Sequence, residues 1–163
     1  MIIRFTERLA KKLKLGPITK IEDCTSNPYL EWYANSFVDD DKVQHFIVTN
    51  AASLLTIVMR GRRIKNYDLF LKQFTSQLRD YLKEIDCELI FERIIAPNTN
   101  SAKLSKTVNR SILGAMNEMK KMIEIRYSKD WSPMELTDLI NDTYFNGVGF
   151  KKPRNVFKTL KLN

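Results

Sequence analysis

The chain offers a transition metal very little: one histidine, His45, and two cysteines, Cys24 and Cys87, among 163 residues. No second His or Cys stands at ligand spacing from any of them, so the usual zinc sites are excluded and no metal is expected. The cysteines lie far apart and form no C-x-x-C pair; they read as reduced, buried thiols of a cytosolic protein. Glycine is scarce too, with five in all. None belongs to a Gly-rich loop following a strand, so the common nucleotide-binding signatures are missing and no cofactor is expected. No apolar run approaches the roughly 18 residues that cross a bilayer, and the opening residues lack the apolar core of a secretory signal. These absences point to a cytoplasmic protein without membrane contact.

Apolar residues, by contrast, make up 44% of the chain and charged residues 28%, enough to bury a core without disulfides or metals. The expected organisation is one globular domain over residues 1–150 and a basic C-terminal tail over 151–163. The formal charge of +8 is uneven. Segments 1–20, 60–65 and 151–163 hold 15 of the 27 Lys/Arg and a single acid, Glu7, while the remaining residues carry a net negative charge. If those segments converge, they form a face that attracts phosphates or an acidic partner. If they scatter, they are solubilising surface.

Ile2, Ile3 and Phe5 suggest a short strand, after which Thr6 is placed to cap a short helix. Residues 29–37, 43–49 and 54–59 are rich in aromatic and β-branched side chains and read as strands, the first two joined by a solvated Asp39-Asp40-Asp41 turn. Asn66 then caps a long helix, in which Tyr67, Phe70, Leu71, Phe74, Leu78, Tyr81, Leu82 and Ile85 recur at three- and four-residue spacing. Cys87–Ile95 reads as a further strand and 97–106 as a loop. A second long helix is expected from Thr107 to about Arg126, and Ser132-Pro133-Met134-Glu135 predicts the capped start of a short one. The fold class that follows is α+β, with an antiparallel or mixed sheet of four to five strands covered by two long and two short helices.

Polar residues inside these apolar elements are the candidate site. Trp32 to Asn35 and Thr49-Asn50 each close an apolar strand with an amide, and a buried Asn needs partners. Either Asn35, Asn50 and Ser53 supply turn chemistry, or they line one end of the sheet and hold something polar. Asn109, Ser111, Gly114 and Asn117, with Arg110 beside them, put four poor helix formers within nine positions. They serve either an anion at the helix start or, through Gly114 and Ala115, the close approach of another element. A candidate basic patch comprises Arg60, Arg62, Arg63, Lys65, Lys151, Lys152 and Arg154. His45 can act as a general base beside a Ser or Asp, but a structural or surface histidine is the expected state.

The stretches Met1-Ile2-Ile3-Arg4, Trp32-x-Ala34-Asn35, Thr49-Asn50-x-x-Ser53 and Asn109-Arg110-Ser111-x-x-Gly114-x-Met116-Asn117 resemble an uncharacterised family of small bacterial proteins, a domain of unknown function. The similarity spans residues 1 to about 145. It departs at Glu118, where the resemblance leads one to expect Asp, and in the basic end of the chain. It implies a shared fold and a shared set of polar positions, and supplies no reaction.

Three functions remain in order. The first is a non-catalytic binding or interaction module. The second is a nucleic-acid-binding accessory protein using the basic segments, with Tyr33 or Trp131 stacking on bases. The third is a new type of enzyme using His45, Ser53, Asn109 and Arg110. The partner is then nucleic acid or an acidic protein, and the oligomeric state stays open.

Overall fold

In the computed structural model, which describes residues 1–126 and 131–162, five strands form one sheet in the order β4-β3-β2-β1-β5. They are β1 (Ile2–Phe5), β2 (Glu31–Val38), β3 (Gln44–Asn50), β4 (Thr56–Arg60) and β5 (Lys103–Lys106). β2, β3 and β4 make an antiparallel meander, whereas β1 lies between β2 and β5 and runs parallel to both. The protein is α+β with a mixed sheet.

Strand alternation sorts the side chains onto two faces. Ile3, Phe5, Trp32, Ala34, Phe46, Val48, Ile57 and Met59 share one core. It is covered by α2 (Tyr67–Glu84), whose Phe70, Phe74, Leu78 and Leu82 are fully buried; burying each such side chain contributes roughly 1.5–3 kcal/mol. Asn66 starts that helix as its sequence requires, accepting the Leu69 N–H at 2.9 Å. α1 (Glu7–Lys12) covers the same face through Leu9 and Ala10. Tyr33, Phe37, Ile47 and Val58 occupy the opposite face, under α5 (Arg110–Arg126) and α6 (Pro133–Asn141). The capping box of α6 forms, with Ser132 accepting the Glu135 N–H and Glu135 accepting that of Ser132.

Four local expectations need correction. Cys87–Ile95 is not a strand. Cys87 precedes a helical segment that is α-helical at α3 (Glu88–Ile90), π-helical at Phe91–Ile95 and α-helical again at α4 (Ala96–Thr99). Its buried residues Cys87, Phe91 and Ile95 fall four apart, a helical spacing inside a run whose composition favours strand. Residues 97–106 are not a loop, since they include α4 and β5. Thr6 occupies the N-cap position of α1 without capping it; its hydroxyl donates instead to Asn35 Oδ1 at 3.1 Å. Finally, the supposed tail contains α7 (Pro153–Thr159), whose Phe157 is fully buried, 5.1 Å from the Tyr29 ring and 6.4 Å from Trp32 between centroids. Asn163 lies outside the described residues.

Candidate functional site

The sheet face under α5 carries a buried polar cluster that composition and periodicity do not reveal. Arg4, on β1, is fully buried; its Nε donates to Glu31 Oε1 at 2.7 Å, Nη1 to Ser105 Oγ at 2.8 Å and Nη2 to the Glu22 carbonyl at 2.8 Å. Parallel pairing makes this possible, because Arg4 sits opposite Tyr33 on β2 and Ser105 on β5. Burial works to lower the Arg4 pKa, but the bond to Glu31 and its charge outweigh that and raise it. The Tyr33 ring lies 5.9 Å from the guanidinium carbon. Burial pushes the Tyr33 phenol up, opposed by Arg4 and by a hydrogen bond from the Asn109 backbone. Every donor nitrogen of Arg4 thus has a partner, which makes the cluster a fastening between β1, β2, β5 and residues 22–24.

A second buried pair lies at the far end of β2. His45 Nε2 and Asp39 Oδ2 are 2.7 Å apart, and the imidazole stacks on Phe37 at 5.1 Å. Asp39 also accepts the Val43 N–H through Oδ1 at 2.8 Å. Asp39 is therefore buried and engaged, not part of a solvated turn; Asp40 and Asp41 are exposed.

The predicted polar residues do not gather in one place. Trp32 is a core residue whose indole N–H donates to the Tyr29 carbonyl at 2.9 Å. Asn50 and Ser53 form one closed turn: Asn50 Oδ1 accepts from Ala52 N, Ser53 N and Ser53 Oγ, while Nδ2 donates to the Pro28 carbonyl at 2.9 Å. Asn35 is three rungs away, opposite Ile47 where Asn50 is opposite Trp32. His45 and Asn50 stand at opposite ends of β3, separated by about 16 Å at the usual strand rise, so the His45–Ser53 grouping is not formed. Asn109 caps α5, accepting the Ser111 N–H at 2.9 Å, and is exposed, as are Arg110 and Asn117. Asn117 accepts from Lys120 Nζ at 3.3 Å. Gly114 is exposed, and a Cβ added there would meet nothing within 4 Å, so the close-packing expectation is corrected for it; Ala115 is the buried neighbour.

The basic segments divide. Lys12 Nζ donates to Gln44 Oε1 and lies 6.0 Å from the Phe46 ring, and Gly61 packs against those same two side chains. Tyr67, just beyond the 61–65 turn, contacts Phe5 at 6.3 Å. Segments 1–20 and 60–65 therefore meet at one end of the sheet. Burial lowers the Lys12 and Lys120 pKa values, and Arg8 lowers both further, so α5 brings another cation close to α1. Arg60 lies at this end and donates to the Trp131 carbonyl at 2.9 Å; Arg62, Arg63 and Lys65 are exposed. Segment 151–163 is elsewhere. Lys152 bonds Asp142 at 2.8 Å and Arg154 bonds Asp138 at 3.3 Å and also pairs with Asp142, while Phe157 fixes α7 near Tyr29 at the opposite end of β2. Tyr33 is 1% exposed and cannot stack on a base; Trp131 is half-buried, beside an opening of about 590 Å³ that Glu84, Asp138 and Asp142 also line.

Among the described residues no group of three or more His, Cys, Asp or Glu is arranged to hold a metal ion, and no helix is long and apolar enough to cross a membrane. Comparison with curated proteins and with solved structures gives no match. A family model does match, over residues 2–156, nearly the whole chain, and on that match the protein belongs to the family described as Domain of unknown function (DUF6933).

Proposed function

We propose that the protein is a non-catalytic, cytosolic binding module that presents the end of its sheet bearing α1 and the 61–65 turn to an acidic partner. The observation carrying this reading is the meeting of two basic segments. Arg8, Lys11, Lys12 and Lys14 share an end of the molecule with Arg62, Arg63 and Lys65, and none of the seven is ion-paired among the described residues. Like charges gathered in excess repel, and an acidic partner relieves that repulsion. The third basic segment, by contrast, has acids of its own in Asp138 and Asp142. Two cysteines without a disulfide, Cys24 exposed and Cys87 buried, suit a reducing compartment.

Retention on heparin as a function of salt tests this reading. Arg62→Glu/Arg63→Glu should elute at markedly lower salt than the parent, and Lys151→Glu/Lys158→Glu close to it. A parent protein that passes heparin unretained at low salt would overturn the proposal.

A second reading, single-stranded nucleic acid, draws on Tyr144 and Phe150. They are 64% and 69% exposed, in the segment closed by the Phe145–Lys151 bridge and next to Lys151. Exposed rings beside lysines are the usual means of sequence-tolerant stacking. Binding of oligonucleotide that Tyr144→Ala/Phe150→Ala abolishes would favour it over an acidic protein.

A further inference from the structure

Two neighbouring parallel strands send their helices to opposite faces of the sheet. β1 leads into α1 on the Trp32 face, and β5 leads into α5 on the Tyr33 face. Connections that diverge in this way open a crevice beyond the carboxyl ends of the strands, which is where sheets with parallel strands take up ligands. This sheet has such an opening. It lies between α1, residues 16–19 and the end of β5, with a volume of about 680 Å³, inside the roughly 300–1,000 Å³ range of small-molecule sites.

The lining has two characters. Phe5 and Ala10 are buried, and Pro17 and Ile18 continue the apolar surface along the loop. Lys11, Lys14 and Lys106 are exposed around it, against one acid, Glu7. The side chains at the opening thus carry a net positive charge beside an apolar interior. α5 begins three residues after Thr107, another lining residue, so the positive end of a 17-residue helix dipole lies close by. A polyphosphate would leave the apolar lining unused, and a neutral apolar molecule would leave the lysines unused.

We propose that this crevice binds a small amphipathic carboxylate, with its apolar body against Phe5, Ala10 and Ile18 and its anionic head facing Lys11, Lys14 and Lys106. The proposal deepens the reading of this end of the sheet as a binding face, but it rests on lining residues other than those of the 61–65 turn, so the two can fail separately.

The test is a titration of nitrogen-15-labelled protein, followed by amide chemical shifts, with naphthoate and with the uncharged naphthylmethanol. Naphthoate should give saturable shifts centred on Phe5, Ala10, Ile18 and Thr107, and the alcohol should bind about tenfold more weakly or worse. The surface variant Lys11→Glu/Lys106→Glu should weaken naphthoate by at least about tenfold while leaving the alcohol unchanged. Absence of saturable shifts at these residues, equal binding of acid and alcohol, or unchanged naphthoate affinity in the variant would overturn the proposal. Arg62→Glu/Arg63→Glu should still bind naphthoate. A parent protein that heparin fails to retain at low salt but that binds naphthoate removes only the surface reading, and one that heparin retains but that gives no saturable naphthoate shifts removes only the crevice.

Discussion

Asn141 of α6 treats the outer edge of β4 as a neighbouring strand would: its Oδ1 accepts the Thr56 N–H at 2.8 Å and its Nδ2 donates to the Thr56 carbonyl at 2.8 Å. One helical turn earlier, Thr137 Oγ1 accepts the Val58 N–H at 3.0 Å. Both side chains are buried. An edge strand otherwise exposes a row of unpaired backbone groups to any passing chain, and here a helix supplies the missing partners.

Asn141→Leu should therefore cost about 2–4 kcal/mol, because it strands two buried backbone groups at once. Thr137→Val strands one and should cost about half as much. Urea unfolding midpoints measure both, and a loss below about 0.5 kcal/mol for Asn141→Leu would show that the edge is satisfied in some other way.

The Arg4–Glu31 pair makes a prediction of opposite form. Arg4→Met leaves the Glu31 carboxylate, 9% exposed, without its cation, and should destabilise by about 3–5 kcal/mol. Arg4→Met/Glu31→Leu removes both charges and should recover a good part of that loss. If the double variant were as unstable as the sum of the single ones, the pair would have no coupling, and the fastening role assigned to it would be wrong.

The sequence made some of this legible and hid the rest for identifiable reasons. The α2 stripe from Phe70 to Leu82 and the Ser132 capping box are local patterns, and both formed where the residues place them. β5 was hidden because Lys103-Leu104-Ser105-Lys106 is short and charged at both ends, as edge strands tend to be; only its pairing with β1, far away in sequence, makes it a strand. The Arg4 cluster draws on residues 4, 31 and 105, so no window of sequence contains it. Its one sign was an arginine inside the apolar opening Met1–Phe5. Asn50 and Ser53, three residues apart, did carry a readable signal, and the turn chemistry is the reading that their mutual bonds bear out.

Two glycines should respond in opposite directions. At Gly61 an added Cβ would stand 2.9 Å from Phe46 Cε1 and 2.6 Å from Gln44 Cγ; Gln44 can move, but the fully buried Phe46 ring cannot, and Gly61→Ala should cost about 1–3 kcal/mol. Gly114 sits in the interior of α5 with open space beside it, so Gly114→Ala should raise stability by about 0.5–1 kcal/mol. Thermal unfolding of the two variants distinguishes them. A loss at Gly114 would mean that its backbone freedom, not the room around it, is what the helix requires.

The Asp142 carboxylate gives a small acid-sensitive contribution. The bond from Lys152, with help from Arg154, holds its pKa below the ordinary 3.8. A pKa depressed by folding contributes stability above the unfolded value and loses it as the pH falls through the folded one, so the contribution is present at neutral pH and disappears below 3.8. Asp142 is 40% exposed, and solvent screening keeps the effect under about 1 kcal/mol. Asp142→Asn should be slightly less stable than the parent at about pH 6, with the gap closing as the pH falls below 3.8. A gap that persists at the lower pH would mean that the charge is not the cause.

Arg4 meets a hydroxyl 101 positions further along the chain. The β2–β3–β4 meander closes through short turns, but the β1–β5 seam must close a loop of about a hundred residues, and the entropic cost of closure rises with loop length. The seam is therefore expected to zip late in folding and to part early, with β5 amides exchanging hydrogen faster than those of β3. That same seam forms one side of the lysine-bordered crevice. A molecule seated there would clamp together the two segments most distant in sequence, and the slowing of β5 exchange on adding naphthoate would measure the clamp.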